Sequence, residues 1–406
     1  MESNDVTVPE VAGLADPAHE NRVKFPRIRF DRNELAGSFG DIGTDLPLVI
    51  GMVFAAGLDA ASVFIMFGLA QIATGLVYGL PMPMQPLKAM AVIVIGQKVS
   101  GDILFGGGLA IGVVMLLLVV SGGLTWLARI VPKCVVRGVQ FGLGLSLASL
   151  ALKDYVQSDG VSGYALAAVV FVVMLLLLGN RRVPGGLVVI LLGIAYALVY
   201  RYDSLIFAAS PSLALPKLYT PTWNDIATGF LVLALPQLPL SLSNSVIATN
   251  QTIKDLFPGR AVGVPKIGLT YAVANLIMPW FSGIPVCHGC GGLAGHYAFG
   301  ARTGGAVIIY GGLYLVLGLF FSRQIGEVIQ IFPKPILGIV LLFEAMTLLL
   351  FVRDQAAKQR DLMIAMLVAL IAFTLPQGYV VGLLVGTAIY YLAERGWLLS
   401  SPSPPS

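Results

Sequence analysis

Apolar segments about twenty residues long recur along this chain of 406 residues, separated by short polar or charged stretches. A helix needs roughly 20 apolar residues to cross the hydrocarbon layer of a bilayer. The pattern therefore predicts an all-α polytopic membrane protein with fourteen helical segments. The predicted segments are 34–57, 60–80, 82–97, 104–128, 134–152, 161–179, 183–200, 224–250, 262–281, 285–299, 304–322, 334–352, 360–375 and 377–395.

The third and tenth segments are shorter than the others, and each begins at prolines. The third starts with PMPMQP at 81–86, and the tenth starts with PVCH at 285–288. A helix of about 13 residues is only about 20 Å long, so neither segment can cross a bilayer alone. We therefore predict two half-helices that begin near the middle of the membrane. The alternative is a pair of proline kinks in ordinary spanning helices.

The two short segments occupy matching places in the two halves of the chain. Pro83 and Pro285 are 202 residues apart, and the IVPK and IFPK motifs at 130–133 and 331–334 are 201 apart. This offset indicates a duplication of seven segments, and the odd number inverts the second copy in the membrane. The predicted organisation is an amino-terminal cytosolic tail (1–32), the two repeats (33–203 and 204–395) and a short carboxy-terminal tail (396–406).

Composition and charge further narrow the class of protein and its expected partners. The chain is 57% hydrophobic and 11% charged, against about 25% charged residues in soluble domains. The net charge of +4 is small and not clustered with aromatic residues, so no nucleic-acid partner is expected. With the amino terminus in the cytoplasm, eighteen of the 25 Lys and Arg residues fall on the cytoplasmic side and six outside. This bias predicts cytoplasmic positions for both termini.

The half-helix starts carry the candidate binding chemistry. A helix amino terminus presents free N–H groups and about half a positive charge, so two facing ends would form an anion site. Gln85 is a candidate donor to an oxyanion. Lys88 either balances a second negative charge or extends its side chain toward the interface. The other candidates at these two ends are Pro86, Cys287, His288 and Gly289.

Polar residues within the first, eighth and twelfth segments complete the candidate site. In the first segment Gly40 and Thr44 flank Asp41, which is either a proton-coupling carboxyl, a helix cap or a partner of Lys88. Glu344, in the twelfth, either relays protons or forms hydrogen bonds within the bundle. One face of the eighth segment either lines the cavity or bonds to neighbouring helices, and it carries Gln237, Ser241, Asn244 and Ser245.

A metal or catalytic role for the cysteines and histidines is not favoured. The spacing of Cys287, His288 and Cys290 is too tight for a common zinc site, and no acid follows to orient a catalytic histidine. We therefore expect no metal, no cofactor and no enzymatic activity. Cys287 and His288 are either anion donors or packing residues, and His296 is expected to pack or cap.

Three stretches resemble the molybdate transporter family, which is related to the SulP sulfate permeases. They are ELAGSFGDIGT at 34–44, PMQPLKA at 83–89 and PVCHGCGGLAGHYAFGARTG at 285–304. The resemblance implies a UraA- and SulP-like fold of core and gate domains, oxyanion uptake and a possible homodimer. Only about ten residues follow the last segment, so no STAS domain is expected there. Cys290 departs from the resemblance, because a small residue is expected at that position.

The resulting interpretation is a secondary transporter that imports molybdate, with proton coupling through Asp41 as a hypothesis. A sulfate permease is one alternative, because sulfate and molybdate share charge and shape. A passive anion channel is another. A nucleobase carrier is less favoured, since it would need an acid on the eighth segment. An intramembrane enzyme that uses the Cys-His pair is the remaining alternative.

Overall fold

The computed structural model describes residues 28–177, 185–200, 212–260, 262–375 and 377–395, and these are mostly helical. The predicted carboxy-terminal tail and most of the predicted amino-terminal tail lie outside the described residues. The first half contains α1 (Arg32–Ser38), α2 (Ile42–Ala56), α3 (Ala60–Tyr78), α4 (Lys88–Gln97), α5 (Gly101–Val120), α6 (Gly123–Ile130), α7 (Lys133–Ser149), α8 (Gly160–Leu177) and α9 (Gly185–Tyr200).

The second half contains α10 (Trp223–Gly229), α11 (Leu235–Leu240), α12 (Thr249–Leu256), α13 (Val264–Ile277), α14 (Cys290–Ala298), α15 (Gly305–Ile331), α16 (Lys334–Leu350), α17 (Gln359–Thr374) and α18 (Gly378–Glu394). Two short strands, β1 (Gln85–Pro86) and β2 (Val286–Cys287), pair with each other. Two π-helical stretches join α10, α11 and α12 into one continuous helix, Trp223–Leu256.

By length and apolar composition, seven described helices qualify to cross a membrane, or eight if the bent pair α1 and α2 counts as one. The seven are Ala60–Tyr78, Gly101–Val120, Lys133–Tyr155, Gly160–Leu177, Trp223–Leu256, Gly305–Ile325 and Lys334–Gln355. The outer surface agrees with a lipid environment. For example, α8 exposes Val161, Val172 and Leu176, which water would not favour. The chain is therefore an integral multi-pass membrane protein.

The first predicted segment is broken where the sequence suggested a continuous span. Helices α1 and α2 meet at an angle of 42°, with Phe39, Gly40 and Asp41 between them. At Gly40 the backbone lies directly against the backbone of Gly295 and His296, where a Cβ atom has no room. The fourth predicted segment is also divided, because Gly122 adopts a left-handed conformation between α5 and α6.

The helices pack into two bundles. The half-helix bundle comprises α1–α6 and α10–α15, in which α3 packs along α15 and α5 packs against α10 and α13. The second bundle comprises α7–α9 and α16–α18, in which α7 packs against α16 and α17. Contacts between the bundles run mainly through α2 with α9 and α16, and through α11 with α7 and α18. Both half-helices lie in the same bundle.

Candidate functional site

The two half-helices begin side by side. Strands β1 and β2 pair in antiparallel fashion, with Gln85 opposite Cys287 and Pro86 opposite Val286. The N–H of Leu87 also donates to the carbonyl of Pro285, at 3.2 Å. Helix α4 begins just after β1, and α14 begins three residues after β2. Because the strands are antiparallel, the helices leave the ribbon in opposite directions, with their amino termini adjacent.

An extended segment precedes each half-helix, and one buried amide side chain binds the backbone of each segment. The Gln71 amide on α3 donates to the Met84 carbonyl at 2.7 Å and accepts from the Met84 N–H at 3.0 Å. The Asn275 amide on α13 makes the same pair of bonds with Val286, at 2.6 and 3.0 Å. Sequence reasoning missed both residues. The available signal was an isolated amide within an apolar helix, where an unpaired polar group is costly.

The Asp41 carboxylate lies at the start of α14. Both of its oxygens accept from the Gln85 side-chain amide at 2.7 Å, and both residues are buried. A Cβ atom on Gly292, in the first turn of α14, would overlap this carboxylate, and one on Gly289 would overlap the Gln85 amide. Within the described residues, no side chain caps the first-turn N–H groups of α14. An acidic group therefore occupies the environment that favours an anion.

The start of α4 is different, because a side chain already caps it. The Gln237 side-chain oxygen accepts from the N–H groups of Ala89 and Met90, at 2.9 and 3.3 Å. The Gln237 amide nitrogen donates to Ser241, whose hydroxyl lies 2.8 Å from that of Tyr271. Two of the free donors predicted at this helix end are therefore satisfied, and the two helix ends are not equivalent.

Lys88, the first residue of α4, forms an ion pair with Glu344 on α16. The second oxygen of Glu344 accepts from the Thr44 hydroxyl at 3.2 Å. The structure thus joins three of the predicted site residues in one network. Lys88 pairs with Glu344, whereas the hydrogen-bond partner of Asp41 is Gln85. Asp45 lies one helical turn after Asp41 and is fully buried, and neither of its carboxyl oxygens has a hydrogen-bond partner among the described residues.

The polar face of the eighth segment also reaches α14. The Cys290 thiol donates to the Asn244 side-chain oxygen, with a sulfur–oxygen distance of 3.1 Å. Ser245 lies against Cys287, and both are buried. Cys290, the residue that departs from the family resemblance, is therefore in contact with a predicted site residue.

The two histidines bond to neighbouring segments. The His288 Nε2 atom lies 2.7 Å from the Thr270 hydroxyl, and its Nδ1 atom lies 3.1 Å from the Pro83 carbonyl. Both ring nitrogens are therefore engaged away from Asp41. The His296 Nδ1 atom lies 2.7 Å from the Gly37 carbonyl and joins α14 to α1. Gly40 brings its backbone close to that of α14 and has no side chain to offer the site.

One face of α14 is exposed. Gly291 and Ala294 are exposed on one face of this helix, and a Cβ atom on Gly291 would meet nothing within 4 Å. Near the far end of α4, a separate cavity of about 380 Å³ lies between the two bundles. Its lining includes Gly51, Lys98 and Lys334.

Comparison with known proteins identifies the family. A profile described as "Molybdate transporter of MFS superfamily" matches residues 33–147 and 229–348. Molybdate transporter 2 of Arabidopsis thaliana is 32% identical, over 89% of this chain and 87% of that protein. Molybdate transporter 1 of the same plant is 30% identical, over 92% of this chain and 91% of that protein.

Among solved structures, the fold is similar to the murine solute carrier 26 family member A9 anion transporter in the inward-facing state. The TM-score is 0.70 at 12% identity, with 90% of this chain and 68% of that chain covered. This agrees with the fold that the sequence resemblance implies. The profile match, together with the similarity to two plant transporters over nine-tenths of the chain, shows that the chain belongs to the molybdate transporter family.

Proposed function

We propose that this protein is a secondary transporter that imports molybdate across a membrane. The observation that carries the proposal is the Asp41 carboxylate, which Gln85 holds against the uncapped start of α14. A site that accommodates a carboxylate beside free backbone N–H donors also suits an oxyanion substrate. The plant relatives of similar length are molybdate transporters by name, which selects molybdate among the tetrahedral dianions.

The proposed binding shell is centred on α14. Its donors are the N–H groups at Gly289 and in the first helical turn, the Gln85 amide, and the side chains that surround this turn. Lys88 supplies the nearest positive charge. The Thr44 hydroxyl donates to Glu344, the carboxylate that pairs with Lys88. The other proposed members are Pro86, Asn244, Ser245, Cys287 and His288. Of these, Pro86 and His288 shape the shell without donating to the anion, because proline has no N–H and both His288 nitrogens bond elsewhere. Gln237 acts by capping α4 and so fixes the position of Lys88.

We further propose the full architecture of fourteen segments in two inverted repeats, 33–203 and 204–395. The matched bonds of Gln71 to Met84 and of Asn275 to Val286 support this, because they repeat one local arrangement in both halves. The half-helix bundle would be the core domain and the second bundle the gate domain. Movement of one against the other would alternate access. The proposal includes cytoplasmic termini and, by family analogy, a homodimer.

Proton coupling follows from the charge at the site. A molybdate dianion that enters beside Asp41 meets a like charge, so the carboxylate must move away or become neutral. A proton bound by Asp41 removes the repulsion and frees the Gln85 amide to donate to the substrate. Among the described residues, neither oxygen of the buried Asp45 carboxyl has a hydrogen-bond partner, so a negative charge there is costly. The Asp41–Asp45 pair is therefore the proposed proton site, with Glu344 as the other candidate.

The test is uptake of labelled molybdate into vesicles that contain the purified protein, over a range of pH and with excess sulfate as competitor. We expect saturable uptake that an inward proton gradient stimulates and that sulfate inhibits weakly. The Asp41→Asn variant should lose the stimulation. Asp255→Asn, at the exposed end of α12, is the matched control and should keep it.

Each alternative has its own outcome. Strong inhibition by modest sulfate would assign the protein to the sulfate permeases. Unitary currents without saturation would indicate a passive channel. If Asp41→Asn transports with the pH dependence of the unmodified protein, the proton is bound elsewhere.

A further inference from the structure

The Lys88–Glu344 ion pair joins the two bundles beside the candidate site. Lys88 belongs to α4 in the half-helix bundle, and Glu344 belongs to α16 in the second bundle. The hydroxyl of Thr44, on α2 in the half-helix bundle, donates to the other oxygen of the Glu344 carboxylate. Glu344 is thus bound by two elements of the bundle to which it does not belong. Any displacement of one bundle along the other must stretch or break these contacts.

The position of Lys88 makes an anionic partner necessary. It is the first residue of α4, where the helix already carries a partial positive charge, so a cation is placed at the unfavourable end. Lys88 is also buried, and an unpaired buried charge is strongly unfavourable. Whatever the arrangement of the bundles, an anion is needed next to this amine. In this structure, the anion is Glu344.

A bound oxyanion would be a second partner for the same amine. Lys88 lies three residues after Gln85 and within electrostatic range of Asp41, the carboxylate at the start of α14. An oxyanion at that helix end would therefore be close to Lys88. It would also repel Glu344, which lies within electrostatic range of Asp41 as well. Two negative groups would then compete for one buried amine.

We propose that Glu344 is an internal competitor of the substrate: the oxyanion and the Glu344 carboxylate bind Lys88 in alternation. When the site is empty, Lys88 holds Glu344 and the ion pair favours the arrangement of the bundles seen here. When the oxyanion binds, Glu344 is released and the bundles are free to move. In the reverse direction, return of Glu344 to Lys88 helps to expel the oxyanion. This mechanism rests on the proposed oxyanion transport.

The test is equilibrium binding of molybdate to the purified full-length protein, with uptake measured in parallel. Removal of the competitor in Glu344→Gln should tighten molybdate binding by about tenfold, within the range of typical coupling between sites. Turnover should fall, because release loses its assistance. Damage to the structure alone would weaken binding, so a gain in affinity separates the two explanations. Glu394→Gln removes a surface ion pair with Arg360 in the second bundle and should match the unmodified protein.

A double-mutant cycle shows whether the competition acts through Lys88. Lys88→Gln should weaken binding, and in that background Glu344→Gln should produce no gain. If Glu344→Gln does not fold, Glu344→Asp serves instead, because its shorter side chain falls short of the amine and should give a gain as well. Unchanged or weaker binding in a folded variant would overturn the inference. If the unmodified protein binds neither molybdate nor sulfate, the proposed function itself has failed.

Discussion

At the scale of single residues, one carboxylate and one amide make the two half-helix ends different. Gln237 satisfies two N–H groups of α4, whereas the first turn of α14 faces Asp41. The dipole argument alone gives equal weight to both helix ends. The side chains make the two ends unequal, and this difference is the reason that we propose an anion site at α14, with Lys88 beside it.

Gly292 provides a prediction at this scale. A methyl group at this position would overlap the Asp41 carboxylate, so Gly292→Ala should displace Asp41 and Gln85 from the helix start. We expect molybdate uptake to fall by at least about tenfold, since shifts of about 1 Å in a binding geometry have effects of this size or larger. The measurement is the initial rate of uptake at matched protein density.

The control for Gly292 is another helical glycine. A Cβ atom on Gly312 in α15 would meet nothing within 4 Å. Gly312→Ala should therefore leave uptake unchanged, and it should not weaken the helix. Uptake by Gly292→Ala at the rate of the unmodified protein would show that Asp41 can leave the helix start without cost.

At the scale of elements, the starts of α4 and α15 are each held by a side chain from another helix. The clearest case is Glu34 in α1, whose buried carboxylate accepts from the N–H groups of Arg302, Thr303 and Ala306 at 2.9–3.0 Å. These groups lie at the start of α15, where no intrahelical acceptor exists. The α1–α15 contact thus closes the turn that follows the half-helix α14.

Glu34→Ala should lower the stability of the protein. It leaves two buried N–H groups and one part-buried N–H group without an acceptor, and a hydrogen bond to a charged group contributes about 1.5–3 kcal/mol. We expect a loss of at least about 3 kcal/mol, measured as a lower melting temperature in detergent. Asp31→Ala, which removes the cap of α1 in the same segment, should cost only about 1 kcal/mol. Equal melting temperatures for the two variants would contradict this role of Glu34.

The boundaries of the two short helices show how far the local sequence pattern predicts the structure. The proline-rich stretches predict short helices at the third and tenth segments, and the structure has helices of 10 and 9 residues there. The helices start later than the prolines suggested, at Lys88 and Cys290. The reason is that Gln71 and Asn275 bind the preceding backbone and hold it extended. Those partners lie on other helices, so no local pattern indicates them.

At the scale of the whole molecule, the distribution of basic residues predicts orientation. Lys153 and Lys254 are both exposed, and the charge bias places them on the outer and the cytoplasmic side, respectively. In intact cells a membrane-impermeant thiol reagent should label Lys153→Cys and leave Lys254→Cys unlabelled. Permeabilised cells should show labelling of both. Labelling of Lys254→Cys alone in intact cells would reverse the orientation.

The sequence by itself determined the membrane class, the places of the half-helices and the family. These follow from the length of apolar runs, from prolines and glycines, and from short motifs, all of which are local properties of the chain. The sequence also named the residues of the candidate site, because polar groups in apolar segments are few.

Only the tertiary structure decided which of those residues meet. Lys88 and Glu344 are separated by 256 positions, and Gln237 caps a helix that lies 148 positions earlier. Sequence reasoning placed Gln237 in the binding shell, considered Asp41 as the partner of Lys88, and treated both helix ends as free. Each pairing depends on which helices pack together, and packing brings together side chains whose spacing along the chain carries no signal.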